Sequence, residues 1–128
     1  MLAGAAALRK ISGMAVIYIY KNCDQCRKAV KWLAAHDLKA EEKPIRETPP
    51  TAEELGEALK QLGRSKIFNV SGADYRQMGL KDRLPGMTDA EVVELLASNG
   101  NLVKRPFFVD RKTILAGFNE ADWEIKLF

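Results

Sequence analysis

The sequence predicts an α/β domain on a mixed sheet of about four strands: β-α-β, then a run of helices, then a β-hairpin and a closing helix. Three observations carry that expectation. The β-rich apolar run Val16-Ile17-Tyr18-Ile19-Tyr20 breaks at Lys21-Asn22 into a helical pattern. Two capping boxes, Thr51 to Glu54 and Thr88 to Glu91, open helices in the middle of the chain. Phe107-Phe108-Val109 and Thr113-Ile114-Leu115-Ala116-Gly117 flank a short polar turn and read as a hairpin.

From Asp24 to His36, residues Cys26, Ala29, Val30, Leu33 and Ala34 fall at helical spacing, with Arg27, Lys28 and Lys31 on the other side. This helix should pack on the sheet. Asp37-Leu38 ends it, and Lys39 to Arg46 reads as a short strand before Thr48-Pro49-Pro50. A strand, a helix and a strand make a βαβ unit, so the second strand should lie parallel to the first. Thr51 caps a helix that runs to Leu62 and stops at Gly63.

Between Arg64 and Met87 the periodicity is poor. Phe68 to Gly72, Tyr75-Arg76 and Gly79-Leu80-Lys81 read as short helical turns linked by loops. Thr88 opens a helix through Val92, Val93, Leu95 and Leu96, closed by Asn99-Gly100. Pro106 then starts a strand, where a missing N–H is tolerable. After the turn Asp110-Arg111-Lys112, Asn119 caps the last helix, with Glu120, Asp122 and Glu124 near its start and Lys126 at its end. Trp123 and Leu127 should face inward. The plan is thioredoxin-like, a single domain over residues 14–128 with a helical insertion at about 51–100.

At 128 residues, with 47% hydrophobic and 29% charged content, the chain supports one core. Its net charge of +3 comes from basic residues scattered among acidic ones, which argues against general nucleic-acid binding. No apolar run is long enough to span a bilayer. A monomer is expected. Residues 1–13 are Ala-rich and read as a frayed, disordered extension before Met14. Their basic Arg9-Lys10 follows the apolar Leu2 to Leu8, the wrong order for a secretory signal, so the expected location is cytoplasmic.

The chemistry centres on Cys23 and Cys26, the only 2 cysteines, at the head of the first helix. Residues i and i+3 share a helix face, so the two sulfurs can approach for a disulfide. A sulfur at a helix N-terminus meets unpaired N–H groups and the positive dipole end, which favour its thiolate. Lys21, Arg27 and Lys28 push the same way and Asp24 opposes them. Cys23, at the turn, should be the exposed nucleophile, and Cys26, one turn in, the buried resolving thiol.

The residues alone leave other readings open. A structural disulfide between such near neighbours would close a tiny loop and stabilise little. Zinc wants four ligands, and this pair supplies two. His36, the only histidine, lies about 15 Å along the same helix, so no metal site is expected unless two chains share one. Two inert buried cysteines are the remaining alternative.

Taken with Lys104-Arg105-Pro106, the dithiol segment resembles the arsenate reductase-like (ArsC/Spx/MgsR) family of the thioredoxin superfamily. That family holds the glutaredoxin-linked arsenate reductases and the Spx-type transcriptional regulators. Phe68-Asn69-Val70-Ser71-Gly72 with Tyr75-Arg76, Glu94-Leu95-Leu96-Ala97 and Gly117-Phe118-Asn119-Glu120 carry the likeness too, which covers Met14 to about Glu124. It implies a cis Pro106 opposite the dithiol. It further implies a cysteine that attacks arsenate while three arginines hold the oxyanion, with glutathione and glutaredoxin completing the reduction. Cys23 matches the nucleophile and Arg105 one arginine. Asn69 and Phe118 stand where the other two would be, and neither supplies a charge, so little or no arsenate reduction is expected.

Two functions follow as expectations. One is a thiol–disulfide oxidoreductase: Cys23 attacks, Cys26 resolves, Arg105 stabilises the thiolate or an anionic substrate, and Pro106, Asn69, Lys21 and Asn22 form the substrate face. It needs no bound cofactor, only glutathione with glutaredoxin, or thioredoxin, as reductant. The alternative is a redox-sensing regulator that binds the C-terminal domain of the RNA polymerase α subunit. Arg76, Lys81 and Arg83, or the basic face of the first helix, would be its patch.

Overall fold

The computed structural model describes residues 15–111 and 113–128. The extension read over residues 1–13 and the turn residue Lys112 therefore lie outside the described residues. The elements in order are β1 (Val16–Ile19), α1 (Asp24–Ala35), β2 (Glu41–Pro44), α2 (Ala52–Leu62), α3 (Arg64–Ile67), α4 (Ala73–Gln77), α5 (Leu80–Arg83), α6 (Asp89–Ser98), β3 (Phe107–Asp110), β4 (Thr113–Ala116) and α7 (Glu120–Leu127). Turns of 3-10 helix occupy Leu84–Gly86 and Gly100–Leu102.

The strands form one mixed sheet in the order β2-β1-β3-β4. β1 runs parallel to β2 and antiparallel to β3, and β3 pairs antiparallel with β4. Successive side chains along a strand point to opposite faces, and both faces here are covered. On one face Tyr18, Phe107 and Ile114 pack with Leu55 and Ala58 of α2 and Val92 and Leu96 of α6. On the other, Ile17, Phe108 and Leu115 pack with Ala29, Trp32 and Leu33 of α1 and with Trp123 and Leu127 of α7. The fold is thioredoxin-like, with helices on both sides of the sheet.

Both capping boxes are present, each threonine oxygen accepting the amide three residues on while that glutamate accepts the threonine amide. Asn119 caps α7 through the Asp122 amide at 2.9 Å. On α1 the buried stripe includes Trp32, which the sequence pattern passed over, and Ala34 is exposed. β2 is shorter than the strand expected over 39–46. It is an edge strand whose ladder is limited by the four residues of β1, and Pro44 has no amide to donate.

The inserted helices are tied to the segment before Pro106. Phe68 bridges Val103 antiparallel, the Asn69 amide donates to Leu102 O at 2.8 Å, and the Lys104 amide donates to Ile67 O at 2.8 Å. The insertion thus fixes the backbone that carries Arg105. Among the described residues no helix is long and apolar enough to cross a membrane.

Candidate functional site

β1 ends at Ile19, and the chain turns through Tyr20, Lys21 and Asn22 into α1. The Cys23 amide donates back to Tyr20 O at 3.1 Å, which closes the turn. Cys23 is itself the N-cap of α1, with extended backbone (φ -115, ψ 115), and its sulfur accepts the Cys26 amide at 3.2 Å. The side chain that sequence reasoning took as the nucleophile is thus held against the free N–H groups of the first helical turn.

Both cysteines are free thiols. Cys23 is half-buried and Cys26 is 1% exposed, the asymmetry expected of an attacking and a resolving sulfur. Burial pushes the Cys26 thiol up to about 12, helped by its hydrogen bond with Cys23. A backbone hydrogen bond with Tyr20 and the charge of Arg105 act in the opposite direction.

Arg105 is joined to Pro106 by a cis peptide bond. Its guanidinium carbon lies over the Tyr20 ring, 4.9 Å from the centroid, which brings a positive charge to the dithiol turn. Lys21 and Asn22 are exposed on that turn, and the Asn22 amide makes only a long 3.5 Å contact with the Tyr20 hydroxyl. Arg27, expected to add positive charge at the sulfur, is instead paired with Asp24 and donates to Lys21 O at 2.8 Å. The two side chains read as opposing influences on Cys23 therefore offset each other.

Asn69 and Phe118 each have partners of their own. The Asn69 side chain donates to Asn101 O at 3.3 Å. Phe118 packs edge-on against Trp32 at 6.1 Å and Trp123 at 5.1 Å, so it belongs to the aromatic layer beneath α1. His36 lies at the far end of α1, stacked on Trp32, with Nδ1 2.8 Å from Trp32 O. Among the described residues no group of three or more His, Cys, Asp or Glu side chains is placed to hold a metal ion.

Residues 18–125 match the sequence profile of the ArsC family. The chain belongs to the ArsC family. Among its relatives, the uncharacterized protein YusI of Bacillus subtilis (strain 168) is 43% identical over 109 residues, covering 84% of this chain and 92% of YusI. The regulatory protein MgsR of the same organism is 33% identical over 107 residues, 82% of this chain and 83% of MgsR. A crystal structure of an ArsC family related protein from Bacteroides fragilis superposes with a TM-score of 0.81 at 37% identity, covering 90% of this chain and 99% of that one.

The sequence reading missed two of the side chains at this site. Tyr20 read as the last strand residue, yet its ring gathers the turn. Arg46 read as the end of the second strand, yet its guanidinium carbon lies 4.2 Å from the Tyr20 ring centroid. The available signal was the parallel pairing of β1 and β2. With Ile19 opposite Pro44 and the Ile45 amide donating to Ile19 O at 2.9 Å, the residues just past both strands emerge side by side.

Proposed function

We propose that the protein is a thiol–disulfide oxidoreductase of the ArsC family in which Cys23 attacks and Cys26 resolves. The observation that carries this reading is the half-buried Cys23 sulfur at the helix cap, with buried Cys26 one turn behind it on the same face. In the exchange, the Cys23 thiolate attacks one sulfur of a disulfide RSSR. A Cys23–S–R bond forms, the RS–SR bond breaks, and the first RS⁻ leaves and takes up a proton. Cys26 then loses its proton and attacks the Cys23 sulfur, releasing the second thiol and leaving a Cys23–Cys26 disulfide. Two cysteine thiols are oxidised and one disulfide is reduced to two thiols.

Arg105 supports the thiolate or an anionic part of the substrate, and Pro106, Lys21 and Asn22 shape the face where substrate lies. Glutathione with glutaredoxin, or thioredoxin, would regenerate the dithiol in the reducing cytoplasm. Arsenate is a poor substrate in this reading, because the neutral Asn69 and Phe118 are engaged in the loop and in the aromatic layer. The test is turnover of a small disulfide with thioredoxin or glutathione as the recycling system. Purified protein that cycles with neither is not an oxidoreductase.

A second reading, a redox-sensing regulator, draws support from the 33% identity to the regulatory protein MgsR. The same dithiol would then be the sensor, and the partner would be the C-terminal domain of the RNA polymerase α subunit. Exposed Arg76 and Arg83 donate to Ser71 O and Met78 O, and with exposed Lys81 they form a basic surface on α4 and α5. Pull-down of that domain with and without diamide tests it. Absence of binding in both states removes this reading.

A further inference from the structure

Arg46, just past β2, and Arg105, just before β3, come from the two sides of β1, and each lies against the Tyr20 ring at its end. Their guanidinium carbons lie 4.2 Å and 4.9 Å from the centroid of Tyr20. Each carries a positive charge, and among the described residues neither has a carboxylate in ion-pair range or a side-chain hydrogen bond. The ring accounts for one face of each cation. The N–H fork of a guanidinium lies in its own plane, so those donors remain for a planar anion. The same Tyr20 receives the Cys23 amide through its carbonyl, so the cations flank the dithiol turn.

We infer that Arg46 and Arg105 form a carboxylate-binding subsite beside Cys23, and that Arg46 is a specificity-determining residue for disulfides carrying that group. This deepens the oxidoreductase reading and rests on it. Small thiols built on cysteine carry carboxylates, so a disulfide substrate brings to Cys23 the anion that two unpaired guanidiniums lack. A cleft of about 460 Å³ opens next to the ring, lined by Tyr20, Lys21, Lys43, Pro44, Glu42 and Glu47 among others, with room for the rest of such a molecule. Arg46 takes over no position of the three-arginine oxyanion clamp. It enters from the end of β2.

The test compares two probes, glutathione disulfide, which carries carboxylates, and bis(2-hydroxyethyl) disulfide, which carries none. The reading is the ratio of their kcat/KM values in the wild-type protein and in Arg46→Ala. Loss of a charge-assisted contact should lower the ratio about tenfold in Arg46→Ala. Arg46→Lys, which keeps the charge and loses the fork, should fall between. Rising salt should lower the wild-type ratio more steeply than that of Arg46→Ala, which keeps Arg105. Equal ratios in wild type and Arg46→Ala, with both disulfides turned over, overturn the subsite and leave the oxidoreductase reading standing. A wild-type protein that reacts with neither disulfide overturns both. Equal ratios with sulfate inhibition in wild type but not in Arg46→Ala, at matched ionic strength, would assign the site to a free oxyanion and overturn the carboxylate assignment.

Discussion

The Cys23 sulfur accepts the backbone amide of Cys26 at 3.2 Å, so the less buried cysteine caps the helix that carries the other. Cap and proposed nucleophile are one atom, and substitution can separate the two roles. Serine is among the preferred N-cap residues, and its oxygen is a stronger acceptor than sulfur. Cys23→Ser should therefore keep the melting temperature at or above that of the wild type while removing disulfide exchange altogether. Cys26→Ser should instead stop at a stable mixed disulfide on Cys23, read by intact-protein mass spectrometry. Retained exchange in Cys23→Ser would move the attacking role to Cys26, the one cysteine left.

The buried Cys26 thiol sets the pH dependence of the second step. Its proton is held by burial, a cause that persists after Cys23 has entered a mixed disulfide, and in the reduced protein its pKa is pushed from 9.0 up to about 12. Resolution needs the Cys26 thiolate, so closure of the internal disulfide should accelerate about tenfold per pH unit and still be rising above pH 9.0. The sign for stability is opposite. A folded-state pKa raised above the unfolded value favours the folded thiol form, so this contribution is complete below pH 9.0 and is lost as pH rises toward about 12. Stopped-flow release of a chromogenic thiol measures the first effect. A plateau at or below pH 9.0 contradicts it.

What was legible in the sequence was local. The two capping boxes, the bulky strand run Phe107-Phe108-Val109 and the Asn119 cap each announce themselves within a few residues, and all are present in the fold. So was the Cys23–Cys26 asymmetry, because helix geometry alone sets it. The missed features depend on distant parts of the chain. β2 is short because of its partner strand, and the Tyr20–Arg46 contact exists because two parallel strands end together. Phe118 stood out only as a missing arginine, since its contacts with Trp32 and Trp123 join three separate segments.

A second long-range contact ties the sheet to the inserted helices. The Tyr18 hydroxyl donates to Glu54 Oε1 at 2.7 Å, and the same oxygen accepts the Thr51 amide at 3.0 Å in the α2 capping box. Burial and this bond hold the Tyr18 phenol protonated well above the usual tyrosine range. Tyr18→Phe should cost about 1.5–3 kcal/mol, as loss of a hydrogen bond to a charged acceptor does. Glu54→Ala loses the cap as well and should cost more. In a double-mutant cycle by urea unfolding the two costs should fall short of additive, and strict additivity would show that the bond contributes nothing.

Gly100 connects packing to the candidate subsite. A Cβ built there would stand 1.9 Å from Ile45 O and 3.2 Å from the Arg46 Cα, a backbone contact that no side-chain rotation relieves. Gly100→Ala must push the segment after β2 away from the 3-10 turn at Gly100–Leu102. It should cost at least about 3 kcal/mol, the upper range for overpacking. Arg46 should move with that segment, so the Tyr20 ring resonances should shift in an NMR spectrum of the folded fraction. Gly56 is the control, because it lies inside α2 and a Cβ there meets nothing within 4 Å. Gly56→Ala should stabilise the protein by about 0.5–1 kcal/mol through helix propensity alone. Opposite signs for the two substitutions in urea unfolding are the expected result. A Gly100→Ala variant as stable as the wild type would mean that the approach of Gly100 to Ile45 does not set the position of Arg46.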